Sequence, residues 1–491
     1  MLYLPSLYRD IFIDKFSLDG WRFSHVQYFF PDMFLYFLIL IFSGNLIIST
    51  FLFGIFQALV LVFSSICLIR TVCGDTNPQV TVIVTLVYTS IFSIGSIAGG
   101  NLFELLHYVF KHSFHIGTFL CCIWGVIFTM QFLQTKNKKY LIYILTISIL
   151  AGISDKLFVV MFIVPLFTTI MILRILRVLS QKTVSKLGDR ITIASIIIII
   201  FSLLIKINNF VESPDLSSKL DNFGKYILIL VRSINNFGSD IGSNPNAYLI
   251  LFFYFSIIFS SIYFIKYFLD RFRNTQIKNR ELNILFFSLF SLFSSSFMLL
   301  SPLFLGLYLN IHAVRYFIGI VVLSLNLLIL ASIYNLRKNQ IVINQKIYKY
   351  FIISVTLIAG IGLFATGKLN KVKAFISYYP SLSQCLDKYS NDYELTFGLS
   401  NYWNSSVVTN FSKKNIIVNQ LNPDLSIYHW LNNKHWYCGE EKASYINPKY
   451  TFIITEGLER NRILQQFGSP RKILMCEETE IFIYKKNLLR C

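Results

Sequence analysis

Charge is scarce in this chain, and acidic charge scarcer still. Only 14% of the 491 residues are charged, with 25 Asp and Glu against 44 Lys and Arg. Soluble domains carry about 25% charged residues, so one large water-soluble core is excluded. Several signatures are missing as well. There is no Walker A loop, no GxSxG and no GxGxxG, so ATP-driven transport lacks its phosphate cradle. No Cys spacing has the form of a zinc site. No fixed-period repeat or low-complexity tract occurs, and no inverted repeat that would mark a secondary transporter.

What is present is apolar. The chain is 55% hydrophobic and 16% aromatic, with a mean hydropathy of +0.59. Stretches of about 20 apolar residues match the hydrocarbon thickness of a bilayer. Ten are expected, at 47–69, 79–98, 114–133, 140–153, 157–173, 191–205, 246–265, 283–303, 314–334 and 348–366. The fourth and sixth are short enough to be tilted or broken. Residues 33–43 are apolar but too few to span, and read as a half-helix for which Asp32 can serve as N-cap. The fold class is therefore mainly α: a polytopic bundle of about ten spans, followed by a small extracytoplasmic α/β domain. The expected domains are an outer arm and half-helix at 1–45, the bundle at 46–367 and the α/β tail at 368–491.

The net charge of +19 is carried by short loops: Lys136, Lys138 and Lys139; Arg174 to Arg190; Lys266 to Arg280; Arg337 to Lys349. These are alternate loops, so the positive-inside rule makes them cytoplasmic. Attraction to the anionic inner leaflet accounts for the charge, and no nucleic-acid partner is expected. Residues 1–32, 99–113, 154–156, 206–245, 304–313 and 367–491 then lie outside, where all seven histidines are found or border. A plasma-membrane protein with an extracytoplasmic tail follows. No signal peptide with a basic start precedes the arm. The arm is therefore expected either to cross unaided or to follow a helix further upstream.

Cys385, Cys438, Cys476 and Cys491 lie in the tail. An oxidising outer compartment permits a disulfide there, and the three possible full pairings stay open. The pieces YELTFGLSNYW, NIIVNQL, TFIITEG, EGLERNRILQQFG and RKILMCEETEIFIYKK alternate strand-like and helix-like patterns. Residues 224–237 read as an amphipathic helix in the interface, forming a lid or rim.

Ionisable groups at the outer ends of spans are costly near lipid and usually face a cavity. Asp10, Asp14, Asp19 and Asp32 stand in the arm, Asp155 in the hairpin Ser154-Asp155-Lys156, and Arg315 beside Tyr316 at the ninth span. A carboxylate can take the proton of an acceptor hydroxyl, and Arg or Lys can hold a phosphate leaving group. Asp32, Asp10 and Asp19 are thus the candidate catalytic carboxylates, Arg315 and Lys156 the donor-phosphate contacts, and Asp155 the group orienting one of these. The plainer alternatives are helix caps for Asp32 and Asp155, a headgroup anchor for Arg315, and a solvated helix face for Asp10, Asp14 and Asp19. His107, His112 and His115 fall close together, and His112 and His115 have the spacing of one helix face. Interfacial placement suits them better than a metal site. In the tail, Trp403, Trp430 and Trp436 among Asn and Tyr residues suit stacking on sugar rings, or else a packed small core.

The layout resembles the GT-C class of polytopic glycosyltransferases, especially the bacterial group related to protein mannosyltransferases and lipid A aminoarabinose transferases. The likeness rests on Asp19-Gly20-Trp21 in the arm, Phe30-Pro31-Asp32 opening the half-helix, many spans, the Ser154-Asp155 hairpin and the α/β tail. It implies a polyprenyl-phosphate-linked sugar as donor, an acidic base in the first outer segment, and an envelope glycan, lipid or protein as acceptor, recognised by Trp403, Trp430 and Trp436. It leaves room for a divalent metal ion without assigning ligands. One departure stands out. The family's usual acidic pair corresponds to Leu4 and Pro5 here, which leaves Asp10 or Asp32 to act in its place. The rival readings are a lipid or polysaccharide transporter or flippase, and a non-catalytic relative.

Overall fold

The computed structural model describes residues 2–24, 26–74, 78–98, 107–112, 114–207, 223–272, 279–338, 377–428, 430–440 and 443–489. The chain divides into two compact units. One joins Met1–His25 to Val372–Cys491 and Leu204–Ser213; the other comprises Val26–Leu203 and Pro214–Lys371. The N-terminal arm is therefore shared, its first part grouped with the tail and its second with the helices.

The arm begins with α1 (Tyr3–Arg9) and continues through a wider turn, Asp10–Asp14, that ends at Lys15 in the left-handed region. Tyr3, Leu4, Leu7 and Phe16 are buried. A 3-10 turn at Leu18–Gly20 leads into the short strand β1 (Trp21–Arg22).

In the helical unit, α2 (Phe34–Ser43) ends at Gly44, whose positive φ reverses the chain. Asn45 then starts α3 (Leu46–Cys73) by accepting the Ile47 and Ile48 N–H groups at 2.9 and 3.1 Å. There follow α4 (Pro78–Ala98), α5 (Ile116–Thr135), α6 (Lys138–Ser154), α7 (Val164–Ile175), α8 (Gln181–Ile207), α9 (Phe223–Ser243), α10 (Pro245–Phe272), α11 (Asn279–Phe304) and α12 (Ile318–Lys338). Among the described residues five helices are long and apolar enough to cross a membrane: Leu46–Cys73, Ile116–Thr135, Pro245–Phe268, Asn279–Phe304 and His312–Leu336. They match the expected spans at 47–69, 114–133, 246–265, 283–303 and 314–334. The expected spans 79–98, 140–153, 157–173 and 191–205 also fall on helical segments. The tenth, 348–366, lies outside the described residues.

Within this unit α5 is the most enclosed of the five and α10 the most exposed. The row Phe252, Phe255, Phe259 and Ile262 of α10 stays uncovered, as a lipid-facing stripe should. Lipid tails are as apolar as these side chains, so burial alone does not drive such helices together. Close approach and interhelical hydrogen bonds do. Gly125 of α5 lies flat against the Phe162 ring, where a Cβ would come within 2.5 Å. Ser294 bonds the Met161 carbonyl at 2.7 Å, Asn283 the Thr71 carbonyl at 2.8 Å, and the Trp124 indole donates to Ser64 at 3.0 Å.

In the tail, the strands are β2 (Phe397–Ser400), β3 (Ile417–Gln420), β4 (Asn432–Asn433), β5 (Tyr450–Ile454), β6 (Lys472–Cys476) and β7 (Thr479–Ile483), and the helices α13 (Ser381–Tyr393), α14 (Tyr402–Phe411) and α15 (Arg460–Phe467). The main sheet runs β3-β2-β5-β7-β6. β3, β2 and β5 are parallel; β7 runs antiparallel to β5 and β6. Alternation sorts the side chains: Phe452, Ile454, Ile481 and Ile483 join Leu386 and Val408 on one face, while Ile453 and Phe482 join Ile463 and Phe467 on the other. The expected strand pieces are all strands, the last of them a hairpin, and residues 456–468 contain α15. Neither α13 nor α14 is among the expected helix-like pieces. Cys385 and Cys476 form a disulfide that ties α13 to the end of β6, and Cys438 is also disulfide-bonded.

Candidate functional site

In the helical unit, three pieces of chain distant in sequence meet at the start of α5. The hairpin Ser154-Asp155-Lys156 grips two of them. Its Ser154 carbonyl accepts the Tyr28 N–H at 3.3 Å, and the Ser154 hydroxyl accepts the Phe30 N–H at 2.9 Å. Asp155 is fully buried. Its Oδ1 accepts the Leu157 N–H at 2.9 Å, so it does cap the following helix. Its Oδ2 holds the other side: His115 Nδ1 at 2.7 Å and the Thr118 hydroxyl at 2.8 Å. The carboxylate can only accept, so Nδ1 carries the proton. That leaves His115 Nε2 facing the Tyr28 hydroxyl at 3.4 Å. Tyr28 and His115 both have positive φ, the price of turning sharply into their helices. Tyr316 stacks near the His115 ring at 5.2 Å and receives a hydrogen bond from Arg315 at 3.2 Å. Arg315, half-buried, also lies over the Tyr316 and Phe114 rings.

Asp32 belongs to the same cluster. It is buried, and it lies against Gly117, where a Cβ would fall 1.8 Å from Oδ1. Only glycine admits the carboxylate there. Asp155, Arg315, Tyr316 and Asp32 all act electrostatically on Tyr28. Asp32 also borders a cavity of about 200 Å³ whose remaining wall is almost wholly apolar, including Phe30, Leu35, Phe53, Leu120 and Trp124. The cap expectation for Asp32 is corrected: the helix start is the turn Phe29–Met33, with Tyr28 at its cap position and Asp32 inside it. Lys156 is exposed, and the Asp155 carboxylate is occupied by His115 and Thr118 instead of by Lys156 or Arg315.

His112 and His115 share no helix face. His112 packs on the Tyr36 and Phe53 rings, 4.7 and 6.0 Å away, while His115 bonds Asp155. Among the described residues no group of three His, Cys, Asp or Glu could hold a metal.

In the other unit, Asp10 is 2% exposed. It accepts the Trp21 indole at 2.9 Å, the Trp436 indole at 2.8 Å to both oxygens, and Asn433 at 3.2 Å. Burial outweighs these bonds and pushes its carboxyl up to about 7. Asp14 is paired with Arg9 at 2.8 Å. The solvated helix face expected of Asp10 and Asp14 is therefore corrected: both are buried, because their helix packs on its tail neighbours. A cavity of about 20 Å³ beside them has room for about one water. Asp19 is exposed and bonds His435 at 2.9 Å; hydrogen bonds from Ser17 and then His435 hold it below the usual carboxylate range. Trp436 is thus an anchor for Asp10. Trp430 packs at 5.5 Å on Tyr402, and Trp403 is 66% exposed.

The roles of His115, Tyr28, Thr118 and Gly117 were missed from sequence. Their one signal was position: each stands within a few residues of a span end that carries Asp32 or faces Asp155.

No family model, curated protein or solved structure matches this chain.

Proposed function

We propose that this protein is an integral membrane glycosyltransferase of GT-C type. It moves a sugar from a polyprenyl-phosphate carrier to an envelope glycan, lipid or protein on the outer face of a bacterial plasma membrane. About ten spans and an extracytoplasmic tail belong to this reading. The observation that carries it is the buried Asp32 carboxylate, set at the rim of an apolar cavity of about 200 Å³.

In the reaction, an acceptor hydroxyl attacks the anomeric carbon and its proton passes to Asp32. The bond from that carbon to the phosphate oxygen breaks, and the lipid phosphate leaves with the electron pair. Arg315 offers a planar cation to the phosphate. The His115–Asp155 pair fixes Tyr28 and, through Ser154, the backbone approaching Asp32. Asp10, enclosed by its indole and amide donors, is assigned to holding the arm and not to chemistry.

The transport reading draws on Ser65, Tyr88 and Asn326, buried polar residues inside the helices. They bond one another at 3.0 and 3.3 Å, as helix-packing groups in a membrane do. The transferase reading therefore takes precedence.

Deletion of the gene, with rescue by wild type or Asp32→Asn, tests it by mass spectrometry of envelope glycans and lipid-linked sugars. The expected result is a glycan lacking one sugar and accumulation of its lipid-linked donor, restored by wild type only. Rescue by Asp32→Asn at a normal protein level removes Asp32 from the chemistry. An unchanged profile in the deletion strain overturns the transferase.

A further inference from the structure

The tail sheet has a reversal of strand order. From β2 the chain passes through α14 to β3 on one side, then returns to β5 on the other side of β2. In open α/β sheets such a point, at the carboxyl ends of the parallel strands, leaves a crevice where ligands bind. Here the three carboxyl ends carry a particular set of side chains. After β2 come Asn401, Trp403 and Asn404; after β3 come Tyr428 and Trp430; after β5 comes Glu456.

These groups are held in place. Asn401 caps α14 by accepting the Asn404 N–H at 3.0 Å and donates to the Glu456 carbonyl at 2.6 Å, so the loops after β2 and β5 interlock. Gly457 keeps the second loop close, since a Cβ there would come within 2.4 Å of the Asn401 amide. Tyr402 lies beneath, 5.0 Å from Trp403 and 5.5 Å from Trp430. Trp403 remains open to solvent. The Glu456 carboxylate receives Asn404, the residue after Trp403, at 3.1 Å and Thr479 at 3.2 Å.

The chemistry of the set selects a ligand class. No glycine-rich turn follows β2, the α14 N-terminus is already capped, and Glu456 opposes a phosphate. A nucleotide is thus disfavoured. An open indole face, next in the chain to an amide that is bonded to a carboxylate, suits a neutral polyhydroxyl ring, which offers C–H groups to the indole and hydroxyls to the polar groups. We propose that the carboxyl ends of β2, β3 and β5 form a carbohydrate-binding site, with Trp403 as the stacking face and Asn404 and Glu456 as hydroxyl partners. The site deepens the transferase reading by giving the tail a hold on the glycan class it acts upon.

The test measures binding without turnover, so its failure is distinct from failure of the transferase. The full chain, in a detergent without a sugar headgroup, is titrated with a panel of neutral hexose and N-acetylhexosamine trisaccharides. Tryptophan fluorescence and saturation-transfer NMR report binding. The expected result is saturable binding of at least one trisaccharide with Kd of about 1 mM or tighter. Trp403→Ala should weaken it by roughly tenfold, with partial recovery in Trp403→Phe. Trp403 is exposed, so the core does not depend on it. Glu456→Gln should weaken it less. Binding with Trp403→Ala unchanged, binding of no trisaccharide, or a fluorescence change with anionic lipid vesicles in place of sugars would each overturn the proposal.

Discussion

At the residue scale, the two best-buried arm carboxylates do different work because their neighbours differ. Asp32 meets an apolar cavity and glycine; Asp10 meets N–H donors on every side. The raised Asp10 carboxyl makes stability depend on pH in a definite sense. Above its unfolded value of 3.8 the unfolded chain releases this proton while the folded chain keeps it until about 7. Folding therefore binds a proton across that window. The contribution to stability is full below 3.8 and is lost as pH rises through 7. The Tm of the full chain in detergent should fall between pH 4 and 7, and the fluorescence of Trp21 and Trp436 should titrate near 7. In Asp10→Asn both slopes should vanish. The variant should also be less stable by about 1–3 kcal/mol, because an amide NH₂ then faces N–H donors. A pH-independent Tm in the wild type would sink this account.

At the element scale, helices in lipid are held by fit. Gly125 of α5 and Gly188 of α8 make opposite predictions. A Cβ at Gly125 meets the Phe162 ring at 2.5 Å, whereas nothing lies within 4 Å of one at Gly188. Gly125→Ala should cost about 1–3 kcal/mol by overpacking, read as a lower Tm in detergent. Gly188→Ala should leave Tm unchanged or raise it, since alanine favours a helix by roughly 1 kcal/mol over glycine. Equal effects at the two sites would show that contact across α5 does not govern stability. The hairpin after α6 illustrates the same dependence on fit. Its Ser154 and Asp155 hold Tyr28, Phe30, His115 and Thr118, and so set the geometry around Asp32.

At the scale of the whole molecule, the proposed orientation rests on alternate basic loops. It is checked with single cysteines on a background lacking exposed thiols. In intact cells an impermeant maleimide should label Lys156→Cys, and should label Lys138→Cys only after the membrane is permeabilised. The reverse pattern would invert the topology and place the Asp32 cluster on the cytoplasmic side.

Much of this protein follows from local composition and period. Runs of about 20 apolar residues can do little but form helices where lipid replaces water, since every backbone group must be satisfied within the segment. Five such helices stand where the hydropathy put them. The tail strands were legible for a similar reason: alternation such as Phe452-Ile453-Ile454 sorts side chains onto two faces without knowledge of the partner strands. Nothing local announces that His115 will bond Asp155, 40 residues away, or that Gly117 is small because Asp32 lies on it. Equally, an arm with four aspartates looks solvated until Trp21, Asn433 and Trp436 close around Asp10. Those outcomes belong to tertiary structure, because hydrogen bonding and burial depend on which distant segments pack together, and a one-dimensional pattern carries no such distance.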